Sequence, residues 1–414
     1  MDVKALLEER IEDKFIRYCL VDTTSVVGAG KTPSSEGQWK LAGILADELN
    51  ALGVEGVTVT DKCFVIGRIP SNVEGSPPAI GFMAHMDTVE GVPGSNIRPI
   101  IHRKWDGSPI KLLDGVELGL HTSPELRYAI GMDLVTSDGR TLLGTDDKAG
   151  IAQIMHAVCL LLKDKGKKHG DVWIAFTPDE EGAGGIEHFP VDIFGAKRAY
   201  TIDGGIIGDF QDETFTAVNG HMKVFGLSNH PGTARGRMTN AVHLMAEIIS
   251  LIPAGERPET TSDREGFIHP TDITGDVEMA SCRFIIRDFE MDKVLRREKS
   301  FVEAARSVVS MHKGARLEWH SEVSYKNMKE VLDKEPRISE LARKAIIEEG
   351  LKLDERPIRG GTDGSRLSYM GILTPNLFTG GSDSHSRNEW ACVQWMESGS
   401  NVLVRLMGLW AEEK

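Results

Sequence analysis

Ala79-Ile-Gly-Phe-Met-Ala-His-Met-Asp87 is a short apolar run that stops abruptly at a polar turn. Such a run fits a strand covered on both faces, as a parallel sheet between helices requires. The same pattern recurs at 172–177, which ends before Pro178-Asp-Glu-Glu181, and at 199–202, which ends before Asp203. Between them, 148–163 carries Ile151, Ile154, Val158, Leu161 and Leu162 at helical spacing. Apolar runs alternating with amphipathic helices as far as about Thr214 predict a largely parallel α/β domain.

Beyond that point the pattern changes. Residues 215–227 read as a strand, 238–252 as a helix, 275–278 and 282–287 as strands, 291–312 as a helix and 316–323 as a strand. This βαββαβ order is the ferredoxin-like arrangement, which can fold as its own unit. The α/β pattern then resumes with a helix at 338–349, a strand near 376–378 and a helix after Trp390. The expected architecture is a three-layer α/β domain built from 1–214 and 328–414. A ferredoxin-like α+β lid at 215–327 interrupts it.

Composition narrows the function. A chain of 414 residues is long for one core, and 40% hydrophobic with 27% charged residues suits a soluble globular protein. The net charge of −14, without a basic block, argues against a nucleic-acid partner. The first 20 residues mix charges throughout and read as no signal peptide. No stretch reaches the roughly 18 apolar residues of a membrane span. Cys19, Cys63, Cys159, Cys282 and Cys392 are scattered and form no CxxC pair, which predicts reduced core thiols and a cytoplasmic location.

Four familiar motifs are absent or fail on context. Gly28-Ala-Gly-Lys-Thr32 has Ser25 where a P-loop needs its first glycine, and Pro33-Ser34-Ser35 follow instead of a helix. The sequence contains neither a G-x-S-x-G elbow nor an H-E-x-x-H helix, and His188 after Glu187 lacks the partner histidine of the inverted motif.

Acidic residues and histidines instead gather just after strand candidates. His85 and Asp87 follow 79–84, Asp146-Asp147 follow 141–143, Glu180-Glu181 follow 172–177, Asp203 follows 199–202, and His385 lies beyond 376–378. In open α/β sheets, ligands bind at the carboxyl ends of the strands. Four carboxylates in one crevice would repel one another and be driven toward protonation unless cations compensate them. Nitrogen and oxygen donors without thiolate suit zinc, with cobalt or manganese as substitutes. Two residues apart on an extended chain, His85 and Asp87 are poorly placed to chelate one ion together. The role expected for Asp87 is to accept the second N–H of the His85 ring. The adjacent Glu180 and Glu181 suggest one carboxylate on metal and one facing substrate. A two-carboxylate glycosidase would leave both histidines without work.

These residues carry a family resemblance. Ala84-His-Met-Asp-Thr88, Leu143-Gly-Thr-Asp-Asp-Lys-Ala-Gly150, Phe176-Thr-Pro-Asp-Glu-Glu181 and Tyr200-Thr-Ile-Asp-Gly204 resemble the co-catalytic zinc motifs of the M20 metallopeptidases. Arg359-Gly-Gly-Thr-Asp-Gly364 and Pro375-Asn-Leu-Phe-Thr-Gly-Gly381, with His385 following, narrow the resemblance to the tripeptide aminopeptidases of that family, and it runs nearly end to end, including Ser35-Glu-Gly-Gln-Trp-Lys40. It implies two zinc ions per chain bridged by Asp146, with His85 and Asp203 on one and Glu181 and His385 on the other. Glu180 would be the general base, with Asp87 supporting His85 as the second catalytic residue. His230, in Asn229-His-Pro-Gly-Thr233, would reach the substrate carbonyl oxygen, and Arg287, in Ile286-Arg-Asp288, the substrate carboxylate. The implied partners are short peptides and a second copy paired through the lid. Gly182-Ala183 stands where the resemblance expects Val-Gly, and Ser384 where an aromatic residue is common. A dipeptidase or N-acyl amino acid deacylase of the same family is the nearest alternative. A non-catalytic binding protein fits poorly, because every expected ligand is present.

Overall fold

The computed structural model describes residues 2–182 and 184–413. The chain separates into two units. One is Met1–Asp212, Glu330–Arg356 and Thr362–Lys414, and the other is Glu213–Lys329 with Pro357–Gly361.

The first unit is built on a seven-stranded sheet. Its strands run in the order Glu55–Val59, Val65–Ile69, Val172–Thr177, Ile80–His85, Ala199–Gly204, Asn376–Phe378 and Phe210–Gln211. The four inner strands, from Val172–Thr177 to Asn376–Phe378, are parallel, so their carboxyl ends share one edge. Both faces of the sheet are covered, which explains why Ile80–His85 is buried at every position. On one face Phe82 stacks on Tyr200, whose hydroxyl donates to the Ile338 carbonyl and accepts from Trp410 Nε1. Helix Thr145–Lys163 packs against Ile80–His85 and against helix Val393–Ala411. On the other face Met83 packs with Ile186, Phe189 and Leu367. Helices on both faces of a central sheet make the three layers.

The strand expected at 141–143 is absent. Those residues form no strand, because two of their amides are spent elsewhere: Leu142 N donates to Pro93 O and Leu143 N to the Glu389 carboxylate.

The second unit is an antiparallel sheet in the order Phe267–Gly275, Met279–Asp288, Thr216–Phe225 and Arg316–Tyr325. Helices Ala241–Ser250 and Met291–Ser310 cover one face. Element order and strand order together are those of the ferredoxin-like fold. Alternate residues of the strands, among them Met222, Val224, Cys282, Phe284 and Ile286, form the core, with Phe284 5.0 Å from Phe301 between ring centroids. The strand expected at 275–278 is displaced: it runs Phe267–Gly275, and Asp276–Glu278 form the turn. The Asp276 carboxylate accepts the amides of Glu278 and Met279, at 2.8 and 3.0 Å, and closes that turn. Pro270 and a register shift before Asp272 break the alternation that would mark the strand, as happens on sheet edges. Pro357–Gly361 joins this unit through the bridge between Thr214 and Ile358, and Phe215 N donates to Ile358 O at 3.0 Å.

Among the described residues no helix is long and apolar enough to cross a membrane. All five cysteines are buried and unpaired.

Candidate metal centre

The carboxyl edge of the parallel strands carries the site. His85 ends its strand with a side chain only 2% exposed. Its Nε2 lies 2.8 Å from Asp146 Oδ1 and 3.6 Å from Asp203 Oδ1. Asp203 sits near the end of strand Ala199–Gly204. The other oxygen of Asp146, Oδ2, is 3.3 Å from His385 Nε2, and that nitrogen also contacts Glu181 Oε1 closely. Asp146 is thus two-sided, with an imidazole at each oxygen: His85, which also faces Asp203, and His385, which also contacts Glu181. His85, Asp146 and Glu181 each place a donor atom within 4.8 Å of the others, as do His85, Asp147 and Asp203.

Asp87 does more than face the imidazole. His85 Nδ1 meets the Asp87 backbone carbonyl at 3.1 Å and its carboxylate at 3.4 Å. The two carboxylate oxygens accept the amides of Glu180 at 2.9 Å and Glu181 at 3.0 Å. One buried side chain therefore orients a histidine and fixes the backbone of both glutamates. Upstream, Asp179 accepts from Ser34 N at 2.8 Å and Gln38 Nε2 at 2.7 Å, anchoring the same loop.

Electrostatics follow from crowding. Burial opposes a charge on His85, but Asp146, Asp203 and Asp87 outweigh it and hold its pKa well above the usual value. Hydrogen bonds to Asp146 and Glu181 carry His385 up to about 10. Burial also opposes ionisation of Asp146, yet His385 and His85 hold its pKa below the ordinary range. Burial, reinforced by Asp203, pushes Glu180 well up, and burial raises Glu181 and Asp203 too. A set of buried carboxylates facing two imidazoles, all nitrogen and oxygen donors, fits divalent cations.

Three further carboxylates brace the site without standing out in the sequence. Asp147 is fully buried, and its oxygens accept the amides of His85 at 3.1 Å and Gly150 at 3.2 Å, so it braces the strand end. Asp363 accepts from Thr177 Oγ1 at 2.8 Å, and burial, then Asp87 and Asp203, push it to about 7. Glu389 accepts three amides of the Asp146 loop. Its place four residues after His385 was the only local signal.

His230 and Arg287 belong to the second unit. His230 is exposed, and its Nδ1 accepts from Gly232 N at 3.1 Å. Arg287 is half-buried on the face of the sheet away from the helices, over the rings of Phe267 and Tyr325. Its Nη1 donates to Arg359 O at 3.2 Å, while Nε is buried without a hydrogen-bond partner among the described residues. Of the two departures, Ser384 is exposed, and Ala183 lies outside the described residues. Gly182 is described: a Cβ there would fall 2.8 Å from Ser25 Oγ, so valine would require Ser25 to move.

The profile of Peptidase family M20/M25/M40 matches residues 134–408. The Peptidase T of Citrobacter koseri is 42% identical over 408 residues, covering 98% of this chain and 100% of that protein. The chain belongs to peptidase family M20. Among solved structures, the aminopeptidase PepT of Bacillus cereus aligns with a TM-score of 0.75 at 23% identity, over 97% of this chain and 98% of that one. The YXEP protein of Bacillus subtilis, described as a dinuclear metal-binding peptidase of the M20 family, aligns with a TM-score of 0.68 at 14% identity, over 99% of this chain and 100% of that one. Both likenesses concern the fold.

Proposed function

We propose that this member of the M20 family is a two-zinc aminopeptidase that removes the N-terminal residue of tripeptides, releasing an amino acid and a dipeptide. The observation that carries this reading is the two-sided Asp146 carboxylate, which has His85 at Oδ1 and His385 at Oδ2, with Asp203 facing the same His85 nitrogen. Zinc suits the donor set, with cobalt or manganese as substitutes. His85, Asp146 and Asp203 would hold one ion, and Asp146, Glu181 and His385 the other. The substrate assignment draws on the Peptidase T name of relatives 42% identical over nearly the whole chain.

Bound divalent ions would supply charge to polarise the scissile carbonyl and to acidify an attacking water. Glu180 takes the proton of that water as its oxygen bonds to the carbonyl carbon. Glu180 then returns the proton to the leaving nitrogen as the C–N bond breaks. Burial and Asp203 raise the proton affinity of Glu180, the direction a shuttle needs. Asp87 keeps Glu180 and Glu181 in register through their amides. His230 hydrogen-bonds the substrate carbonyl oxygen as it gains charge, and Arg287 receives the substrate carboxylate. The insert at 215–327 serves as the lid, and buried free thiols suit a cytoplasmic setting.

The test is a panel of di-, tri- and tetrapeptides, free and N-acetylated, after removal and return of zinc. Free tripeptides should be cleaved fastest, and only by the zinc-restored protein. Preference for N-acetylated substrates would replace this reading with a deacylase, and preference for dipeptides with a dipeptidase.

A further inference from the structure

We propose that Glu389 is a positioning residue of the metal centre, holding the loop of Asp146 in register with the segment of His385. This rests on the metal-centre reading above.

Helix Thr145–Lys163 starts without a capping side chain of its own. A helix leaves its first amides without intrahelical acceptors, and a polar side chain at the N-cap usually meets one of them. Here the N-cap is Gly144, whose φ of +86 favours glycine and which offers no capping side chain. The missing acceptor comes from far along the chain. Glu389 Oε2 accepts the amides of Leu143 and Gly144, both at 2.7 Å, and Oε1 accepts that of Asp146 at 3.1 Å.

Glu389 is itself held hard. It is 2% exposed, and it precedes strand Trp390–Cys392, which pairs with Leu134–Thr136 on one side and Gly381–Ser382 on the other. The Trp390 indole donates to Ser123 Oγ at 2.9 Å. His385 lies between Gly381–Ser382 and Glu389 in the same short connection. The three hydrogen bonds therefore link the backbone of Asp146 to the segment that carries His385, whose Nε2 stands 3.3 Å from Asp146 Oδ2. Loosening the link would let the shared carboxylate drift away from one of its two sides.

The test uses the full chain and zinc, measured by competition with a chromogenic chelator. Glu389→Gln preserves volume but turns an NH2 group toward at least one of the three amides. We expect the weaker of two zinc affinities to fall 10–100-fold, the usual cost of losing an outer partner of a metal ligand. The metal-free melting temperature should stay near that of the wild type, and kcat should fall more than KM rises. Glu389→Asp, a shorter carboxylate, should fall between the two. If Glu389→Gln does not fold, Glu389→Asp carries the test alone, with a graded loss of affinity expected. Wild-type zinc affinity in the folded variants, with only a lower melting temperature, would overturn the proposal and leave Glu389 a capping group. A wild-type protein that takes up no zinc would instead remove the metal-centre reading, and this proposal with it.

Discussion

Oδ2 of Asp146 lies 3.3 Å from Nε2 of His385, close enough for the two groups to set each other's protonation. Hydrogen bonds to Asp146 and Glu181 bring His385 up to about 10, so it is protonated at neutral pH. Only neutral imidazole binds a metal ion. The raised pKa gives the metal-free fold a stabilising contribution that is complete below about pH 6.5 and fades as pH rises through about 10. Zinc binding at pH 7 should release about one proton or more per chain, and affinity should climb with pH toward 10. Calorimetry of the chelator-stripped protein in buffers of different ionisation enthalpy measures this directly. A release of zero protons would contradict the assignment of His385 as a ligand.

Glu180 and His385 should fail in different ways. Glu180→Ala should lower kcat by about 10²–10⁴-fold, the usual contribution of general acid–base catalysis, with zinc content unchanged. His385→Ala should lose zinc as well as activity. Metal analysis beside steady-state kinetics separates the two, and turnover by Glu180→Ala within a few-fold of wild type would remove its role.

Arg287 should set substrate length rather than rate alone. An extended chain spans about 3.3–3.6 Å per residue, so a fixed carboxylate receptor favours one peptide length over its neighbours. Wild-type kcat/KM should peak at tripeptides, and C-terminal amidation should erase much of that peak. Arg287→Ala should flatten the profile across di-, tri- and tetrapeptides. An equal fall at every length would show that Arg287 does not read the C-terminus.

Asp209 gives a stability prediction independent of catalysis. Its Oδ2 accepts from Gly205 N at 3.0 Å and Gln211 Nε2 at 2.9 Å, but Oδ1 is buried without a hydrogen-bond partner among the described residues. Burial pushes its pKa to about 7. The folded state therefore keeps a proton that the unfolded chain releases near pH 4. The resulting stability is present below about pH 4 and lost as pH rises through about 7. Asp209→Asn, neutral throughout, should match wild type near pH 4 and exceed it at pH 8 by on the order of 1–3 kcal/mol. Urea unfolding at the two pH values checks this, and a pH-independent difference would count against it.

The sequence alone determined the strands Val172–Thr177 and Asn376–Phe378, the βαββαβ order of the second unit and the segments that carry His85, Asp146, Glu180, Glu181 and Asp203. These were legible because burial on both faces demands unbroken apolar runs, and because polar donors at the end of such a run stand out. Tertiary structure alone decided how the polar groups between those runs are used. Residues 141–143 look like a strand, yet their amides go to Pro93 and Glu389. Asp87 looked like a partner for one imidazole and turned out to hold two glutamate amides as well. Asp147 and Asp363 are ordinary acidic residues in the sequence and become buried braces only when distant segments close over them. Apolar periodicity is a local property, set by which face of an element meets the core. A carboxylate's hydrogen-bond partners are not: Glu389 and the Asp146 amide are 243 residues apart, and the nearness of Glu389 to His385 in the chain hints at the site without recording the bond.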